Sequence, residues 1–137
     1  MVEITVDYEG ALHTNAVHGP SGSRVETDAP VDNHGRGERF SPTDLAAAAL
    51  GACMLTVMGI LAERHAWSLA GTRARIEKHM VADPVRRIGR LVADLVFAPG
   101  IPEEARKPLL RAAETCPVRQ SLHPDIAVEL RVVWRDV

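Results

Sequence analysis

The sequence predicts a fold that combines β-strands with α-helices. Apolar and polar residues alternate at the start of the chain and again near its end, over residues 2–8 and 126–134, which is the pattern of half-buried strands. Between them, residues 45–62 are apolar or small except for Thr56, as is typical of a long buried helix. Because 137 residues with 46% hydrophobic content suit one core, we expect a single domain over 1–137.

The first part of the chain is predicted to contain three strands and a loop. Residues 2–8 form the clearest of these three strands, and Gly10 marks the turn that follows it. Residues 13–18 and 23–27 are weaker strand candidates. Residues 28–40 contain Pro30, Gly35 and Gly37, and are therefore predicted to be a loop.

The long helix is predicted to begin at about residue 42. Ser41 suits the N-cap, Pro42 suits the first helical position, and Asp44 can complete a capping box with Ser41. A helix that is apolar on every side must be covered on every side, so we expect a second helix and a second subunit against it. The alternative is a core helix in a monomer.

The same apolar run reaches the length at which a membrane span becomes possible. It is rich in alanine, stands alone, and is flanked by amphipathic strands that need a water-soluble core. We therefore expect no membrane association.

The second half of the chain is predicted to begin with a β-hairpin and to end with a strand. Residues 71–81 and 91–97 have strand patterns, and Asp83-Pro84 between them marks a turn. In the last strand, the apolar residues of 126–134 fall on one face and charged residues on the other.

Two helices are predicted between the hairpin and the last strand. An apolar stripe predicts the first over residues 108–115, with Pro108 in its first turn. Pro117 disfavours helical geometry at Cys116 and can open a second short helix over 118–122. Cys116 would then lie at a helix N-terminus, where backbone N–H groups favour a thiolate.

Charge and cysteine content narrow the class of function. The formal net charge is −2 with both signs interspersed, so nucleic acid is not expected as a partner. The N-terminus lacks the pattern of a signal peptide, which favours a cytoplasmic protein.

Cytoplasmic cysteines stay reduced unless they have a chemical role, so Cys53 and Cys116 are not predicted to form a structural disulfide. Each cysteine taken singly could still be a small buried hydrophobe.

Two segments resemble one known family. Residues 42–53, Pro-Thr-Asp-Leu-Ala-Ala-Ala-Ala-Leu-Gly-Ala-Cys, and residues 113–118, Ala-Glu-Thr-Cys-Pro-Val, are similar to motifs of the osmotically inducible protein C and organic hydroperoxide resistance family, OsmC/Ohr, and more to its OsmC-like branch. The order of elements agrees along almost the whole chain. The resemblance implies an α+β OsmC-like fold, with an antiparallel sheet and a long central buried helix, in which two chains intertwine as a homodimer.

The resemblance also implies a thiol peroxidase that acts on organic hydroperoxides without metal, haem or flavin. Cys53 matches the peroxidatic cysteine of the family, and Cys116 matches the resolving cysteine. An external dithiol, of the lipoyl type or another small thiol, would reduce the resulting disulfide. The six histidines lack the spacing of a zinc site, so no metal is expected.

One position departs from the family pattern. The best-studied members carry a glutamate just after the proline, which holds an arginine over the thiolate, whereas this chain has Thr43. Asp44 is acidic but faces away from Cys53 on an ideal helix. Our choice for the activating arginine is Arg39, whose alternative role is an exposed loop charge. The other arginines near the helix entrance are Arg24 and Arg36.

Three functions remain open at this point. The first is a cytoplasmic, homodimeric, cysteine-based hydroperoxide reductase. The second is a non-catalytic member of the same fold that binds a small hydrophobic molecule in the cleft at Cys53, and the third is a dimer whose cysteines only pack. The residues on the Cys53 face of the helix predict an aliphatic pocket that prefers alkyl hydroperoxides to hydrogen peroxide. They are Ala46, Ala49, Leu50, Val57 and Ile60.

Overall fold

The computed structural model describes residues 1–135. Contacts between residues group the chain into two compact units, residues 1–46 and the residues from Ala47 onward, and each unit is described by itself. The boundary falls in the first turns of the long helix. That the whole chain acts as one domain stays a prediction.

The first unit contains a three-stranded antiparallel sheet in the order β1-β2-β3. The strands are β1 (Ile4–Tyr8), β2 (His13–His18) and β3 (Arg24–Asp28), so all three predicted strands are present with bounds that differ by at most two residues. A short 3-10 turn, Val31–Asn33, interrupts the predicted loop.

The two faces of this sheet differ in polarity. Strand alternation places Ile4, Val6 and Tyr8 on one face, and all three side chains are exposed. On the opposite face, His13 on β2 pairs with Asp28 on β3 across the sheet. The sheet therefore has an uncovered apolar face and a charged face.

The long helix α1 spans Pro42–Arg64, as predicted. The backbone N–H of Ser41 donates to Asp44 Oδ2 at 2.9 Å, and the N–H of Asp44 donates to Ser41 Oγ at 3.1 Å, which is the reciprocal capping box expected from the sequence. Among the described residues, α1 is the one helix long and apolar enough to cross a membrane, a test that core helices of soluble proteins also pass.

One stripe of α1 is buried, whereas the sequence predicts burial on every side. The buried residues are Ala47, Leu50, Gly51, Met54, Met58 and Ala62. Gly51 allows close approach to β4 (Arg73–Val81), since a Cβ added there would lie 3.0 Å from Ile76 Cγ1. The rest of the helix is half-buried or exposed, with Ile60 50% exposed, because a single chain supplies cover for one face only.

The second unit contains a mixed sheet in the order β4-β5-β6, with β5 at Arg87–Val96 and β6 at Ala127–Val133. β4 and β5 form the predicted antiparallel hairpin, and Asp83-Pro84 lies in its turn. β5 and β6 are parallel, so this sheet is not purely antiparallel. A parallel pair needs a long crossover, and the helices between the two strands provide it.

Two helices form this crossover, α2 (Glu103–Glu114) and α3 (Pro117–Ser121). The prediction that α2 begins at residue 108 is wrong, because Pro108 lies inside the helix and Pro102 is its N-cap. Proline removes one hydrogen bond of the helix ladder. The helix continues through it because its buried face, Ala105, Leu109 and Ala113, packs into the core.

Candidate active site

The two cysteines come together in the second unit. Cys53 lies on α1, and Cys116 immediately precedes α3. The backbone N–H of Val118 donates to Cys53 Sγ at 3.5 Å, and the N–H of Arg119 donates to Cys116 Sγ at 3.4 Å. Both sulfur atoms are therefore held by N–H groups from the first turn of one short helix.

The local sequence explains the position of Cys116. Its backbone is extended, with φ −63° and ψ 147°, and Pro117 occupies the first helical position, as predicted. Cys116 is thus the N-cap of α3, and its sulfur accepts the N–H three residues later, as an N-cap serine or aspartate oxygen does.

The two thiols differ in exposure. Cys53 is half-buried, whereas Cys116 has no exposed surface. Burial raises the pKa of Cys116, and its hydrogen bond to Cys53 raises it further, against the lowering effect of the Arg119 and Val118 N–H groups. The expectation that the helix N-terminus makes Cys116 a favoured thiolate is therefore wrong, because desolvation outweighs the N–H donors.

This arrangement can support dithiol chemistry. A half-buried cysteine lies in hydrogen-bond contact with a buried one, and both residues are free thiols in this structure. An oxidised Cys53 would have a second thiol beside it, which is the requirement for closing a disulfide.

The residues predicted to activate Cys53 lie in the first unit. Arg39 is exposed, with its Nε 3.5 Å from Glu26 Oε2 and its Nη1 donating to the Glu38 carbonyl at 3.3 Å. Thr43 Oγ1 lies 3.2 Å from Ser41 Oγ, so it contributes to the polar cluster at the helix start. Arg24 and Arg36 are exposed as well. Activation of Cys53 by Arg39 stays a prediction.

Sequence reasoning predicted N–H donors for Cys116 but missed the donor for Cys53. The backbone N–H of Arg119 donates to the Cys116 sulfur as predicted, and the N–H of Val118 donates to the Cys53 sulfur. The Cys-Pro dipeptide was the available signal, because a cysteine N-cap followed by proline directs the next free N–H groups toward the preceding side chain.

Only some of the aliphatic residues predicted to line a pocket at Cys53 are accessible. Leu50 is completely buried in the core and cannot line an accessible pocket, whereas Val57 is half-buried and Ile60 is half-exposed. A pocket of about 500 Å³ lies in the first unit and contains neither cysteine. Its lining is mainly apolar, formed by Ile4, Ala16, His18, Ser21, Ser23, Val25 and Leu45.

Comparison with solved structures supports the fold at full length. A crystal structure from Psychrobacter arcticus, described provisionally as an osmotic stress induced and detoxification response protein, is 43% identical over 97% of this chain and 96% of its own, with a TM-score of 0.91. The organic hydroperoxide resistance protein OsmC of Legionella pneumophila is 18% identical with a TM-score of 0.77, covering 96% of each chain. OhrB of Bacillus subtilis, an organic hydroperoxide resistance protein, is 16% identical with a TM-score of 0.68, covering 97% of this chain and 98% of its own.

Family comparison gives the same assignment. A search of curated proteins gives no match. The model of the OsmC-like protein family matches residues 35–131, which is well over half of the chain and includes both cysteines. The predicted α+β class is confirmed by these relatives and by the strands and helices described above. The chain therefore belongs to the OsmC-like protein family.

Proposed function

We propose that this protein reduces organic hydroperoxides, with Cys53 as the peroxidatic cysteine and Cys116 as the resolving cysteine. The observation that carries the proposal is the contact between a half-buried Cys53 and a fully buried Cys116. A peroxide from solvent reaches the first sulfur more readily than the second. The division of roles follows from this difference in access.

The reaction has three balanced steps. The Cys53 thiolate attacks one oxygen of the O–O bond, which breaks to give a Cys53 sulfenic acid and, after protonation, an alcohol. The Cys116 thiol then displaces water from the sulfenic acid, and a disulfide forms. An external dithiol reduces this disulfide by exchange and is itself oxidised to a disulfide.

Two further features belong to the proposal. Some structural relatives are named organic hydroperoxide resistance proteins, and that substrate class suits the aliphatic residues beside Cys53 on α1. The reaction requires Cys53 and Cys116 to be reduced between turnovers, which favours a cytoplasmic setting with a lipoyl-type or other dithiol reductant.

The test is peroxide consumption by the reduced protein and by two single-cysteine variants. Cys53→Ser should abolish consumption of tert-butyl hydroperoxide. Cys116→Ser should consume about one peroxide per chain and keep a sulfenic acid that dimedone traps, since no second thiol remains. Mass spectrometry would locate the adduct.

The same assay separates this proposal from the alternatives. If Cys53→Ser consumes peroxide as fast as the parent protein, Cys53 is not the reactive group. If the parent protein does not turn over and a small hydrophobic molecule raises its melting temperature, the non-catalytic binding function is favoured instead.

We also propose a homodimer. The apolar face of β1 is open to solvent, with Ile4 62%, Val6 59% and Tyr8 67% exposed. On α1, Ile60 is 50% exposed. An exposed apolar strand face of this kind indicates an interaction surface, as does an exposed isoleucine on an apolar helix, and a second copy of the chain would cover each of them.

A further inference from the structure

A second group of reactive side chains lies on the charged face of the first sheet. His13 Nε2 lies 3.2 Å from Glu26 Oε1 and 3.5 Å from Glu9 Oε1. The three atoms all lie within 4.8 Å of one another. Glu9 follows β1, His13 begins β2 and Glu26 lies on β3, so each strand contributes one group.

These separations suit a small divalent cation. Nitrogen and carboxylate oxygen bind zinc at about 2.0–2.2 Å in tetrahedral geometry, which places neighbouring ligand atoms about 3.3–3.6 Å apart. The two distances from His13 Nε2 lie at or just below this range. Little side-chain movement would be needed for the three groups to bind one ion.

Asp28 orients the histidine for such a role. Its carboxylate lies 2.6 Å from His13 Nδ1, and the residue is only 4% exposed. With a metal ion bound, the Asp28 carboxylate would hold the proton on Nδ1 and leave the lone pair of Nε2 free to bind the ion. Metal-binding histidines commonly have this partner.

The net negative charge of this group and an unpaired amide oxygen on the same face also favour a bound cation. Glu9, Glu26 and Asp28 carry three negative charges and Arg39 carries one positive charge, so the group has a formal charge of −2 when His13 is neutral, as a metal-binding histidine must be. One divalent cation would balance it. On the same face, Asn15 stands opposite Glu26, and its Oδ1 is buried without a hydrogen-bond partner among residues 1–135.

We propose that Glu9, His13 and Glu26 bind a first-row divalent cation of the zinc type, with Asp28 as the residue that positions His13. The mixed nitrogen and carboxylate donors suit zinc or cobalt better than calcium or magnesium, which prefer oxygen alone. The ion would link the three strands of the sheet. It takes no part in the cysteine chemistry proposed above.

The test uses the full chain with both cysteines changed to serine, so that thiolates do not compete for metal. Titration with Co²⁺ should give a visible absorption band at one equivalent per chain, without thiolate charge transfer, and Zn²⁺ should displace it. His13→Gln should abolish the band. Asp28→Asn should weaken zinc binding about 10–100-fold, since it removes the charge that supports the imidazole.

Two further variants keep the result interpretable. His18→Gln, at the other end of β2, is the matched control and should bind metal as the parent does, because His18 hydrogen-bonds Ser21 away from the cluster. Glu9→Gln tests the exposed strand end and should also lose binding. The proposal is overturned if His13→Gln and Glu9→Gln bind cobalt as tightly as the cysteine-free parent, or if that parent binds none.

Discussion

At the scale of single residues, burial rather than helix position decides how the two thiols differ. Cys116 has the more favourable position by sequence, as an N-cap followed by proline. It is nevertheless enclosed by the core, and the cost of desolvating a thiolate there exceeds the benefit of two N–H donors. Cys53 is only half-buried, so it is the more accessible of the two cysteines.

This difference predicts the order of alkylation. In the reduced protein, iodoacetamide should modify Cys53 well before Cys116, because Cys116 is buried and its raised pKa leaves less thiolate at a given pH. A free cysteine has a pKa of about 8.5, so its rate levels off about one pH unit above that value, and the rate at Cys116 should continue to rise at higher pH. Peptide mapping at several pH values would measure both rates.

Unfolding in urea provides the control for that experiment, since both thiols should then react at similar rates. Equal rates in the native protein would contradict the assignment of Cys116 as the protected sulfur.

The residues beside Cys53 predict a preference among peroxides. Val57 and Ile60 follow it by four and seven positions on α1, and both are partly accessible. Each methylene of an alkyl chain buried against such groups contributes about 0.8 kcal/mol, or roughly a fourfold gain per carbon. Stopped-flow oxidation should therefore be faster with cumene or tert-butyl hydroperoxide than with hydrogen peroxide. Equal rates would remove the organic preference.

At the scale of elements, the C-terminal end of α1 has a defined cap, but the residue in its left-handed position is not glycine. The N–H of Trp67 donates to the Ala62 carbonyl at 2.9 Å, and the N–H of Ala66 donates to the Glu63 carbonyl at 3.3 Å, which together form a Schellman motif. Ala66 has φ 57°, the left-handed conformation that glycine adopts without strain.

Ala66→Gly should therefore stabilise the protein. Relief of the left-handed conformation contributes about 1–2 kcal/mol, and the greater freedom of glycine in the unfolded chain removes about 0.4–1 kcal/mol, so the net gain is about 0.5–1 kcal/mol. Urea unfolding would measure it. Ala70→Gly is the control, because Ala70 is exposed without a positive φ, and that change should destabilise the protein.

The elements that sequence reasoning placed correctly have local signals. The start of α1 is determined by Ser41 and Asp44, whose side chains bind neighbouring backbone groups. β5 begins at Arg87, earlier than predicted, because residues 87–90 pair with the end of β4 although Ile88 is their only apolar side chain. The parallel pairing of β6 depends on a crossover and has no local signal.

Neither candidate site has a local sequence signal of this kind, because each is assembled from distant segments of the chain. Cys53 and Cys116 were paired through resemblance to a family, since no spacing rule brings two distant cysteines together. Glu9, His13 and Glu26 were missed because three strands must assemble before their side chains converge. None of the short ligand spacings known from zinc sites describes three groups that come from separate strands.

At the scale of the whole molecule, the distribution of apolar surface is the main observation. The described residues expose thirteen large hydrophobic side chains, and those on β1 lie on one face of the sheet. The pocket in the first unit opens on the same face, through Ile4 and Ala16. Scattered apolar residues need no explanation, but a continuous face does.

Substitution on β1 tests the proposed dimer with a matched control. Val6 and Thr5 are exposed neighbours that point to opposite faces, so lysine at either position adds the same charge to one face only. The parent protein should sediment as a dimer at micromolar concentration, with an interface on the order of 2,000 Å². Val6→Lys should shift it toward monomer because a charge would be buried there, whereas Thr5→Lys should leave it dimeric. A parent protein that is a folded monomer, or a Val6→Lys variant as dimeric as Thr5→Lys, would show that this face is not the interface.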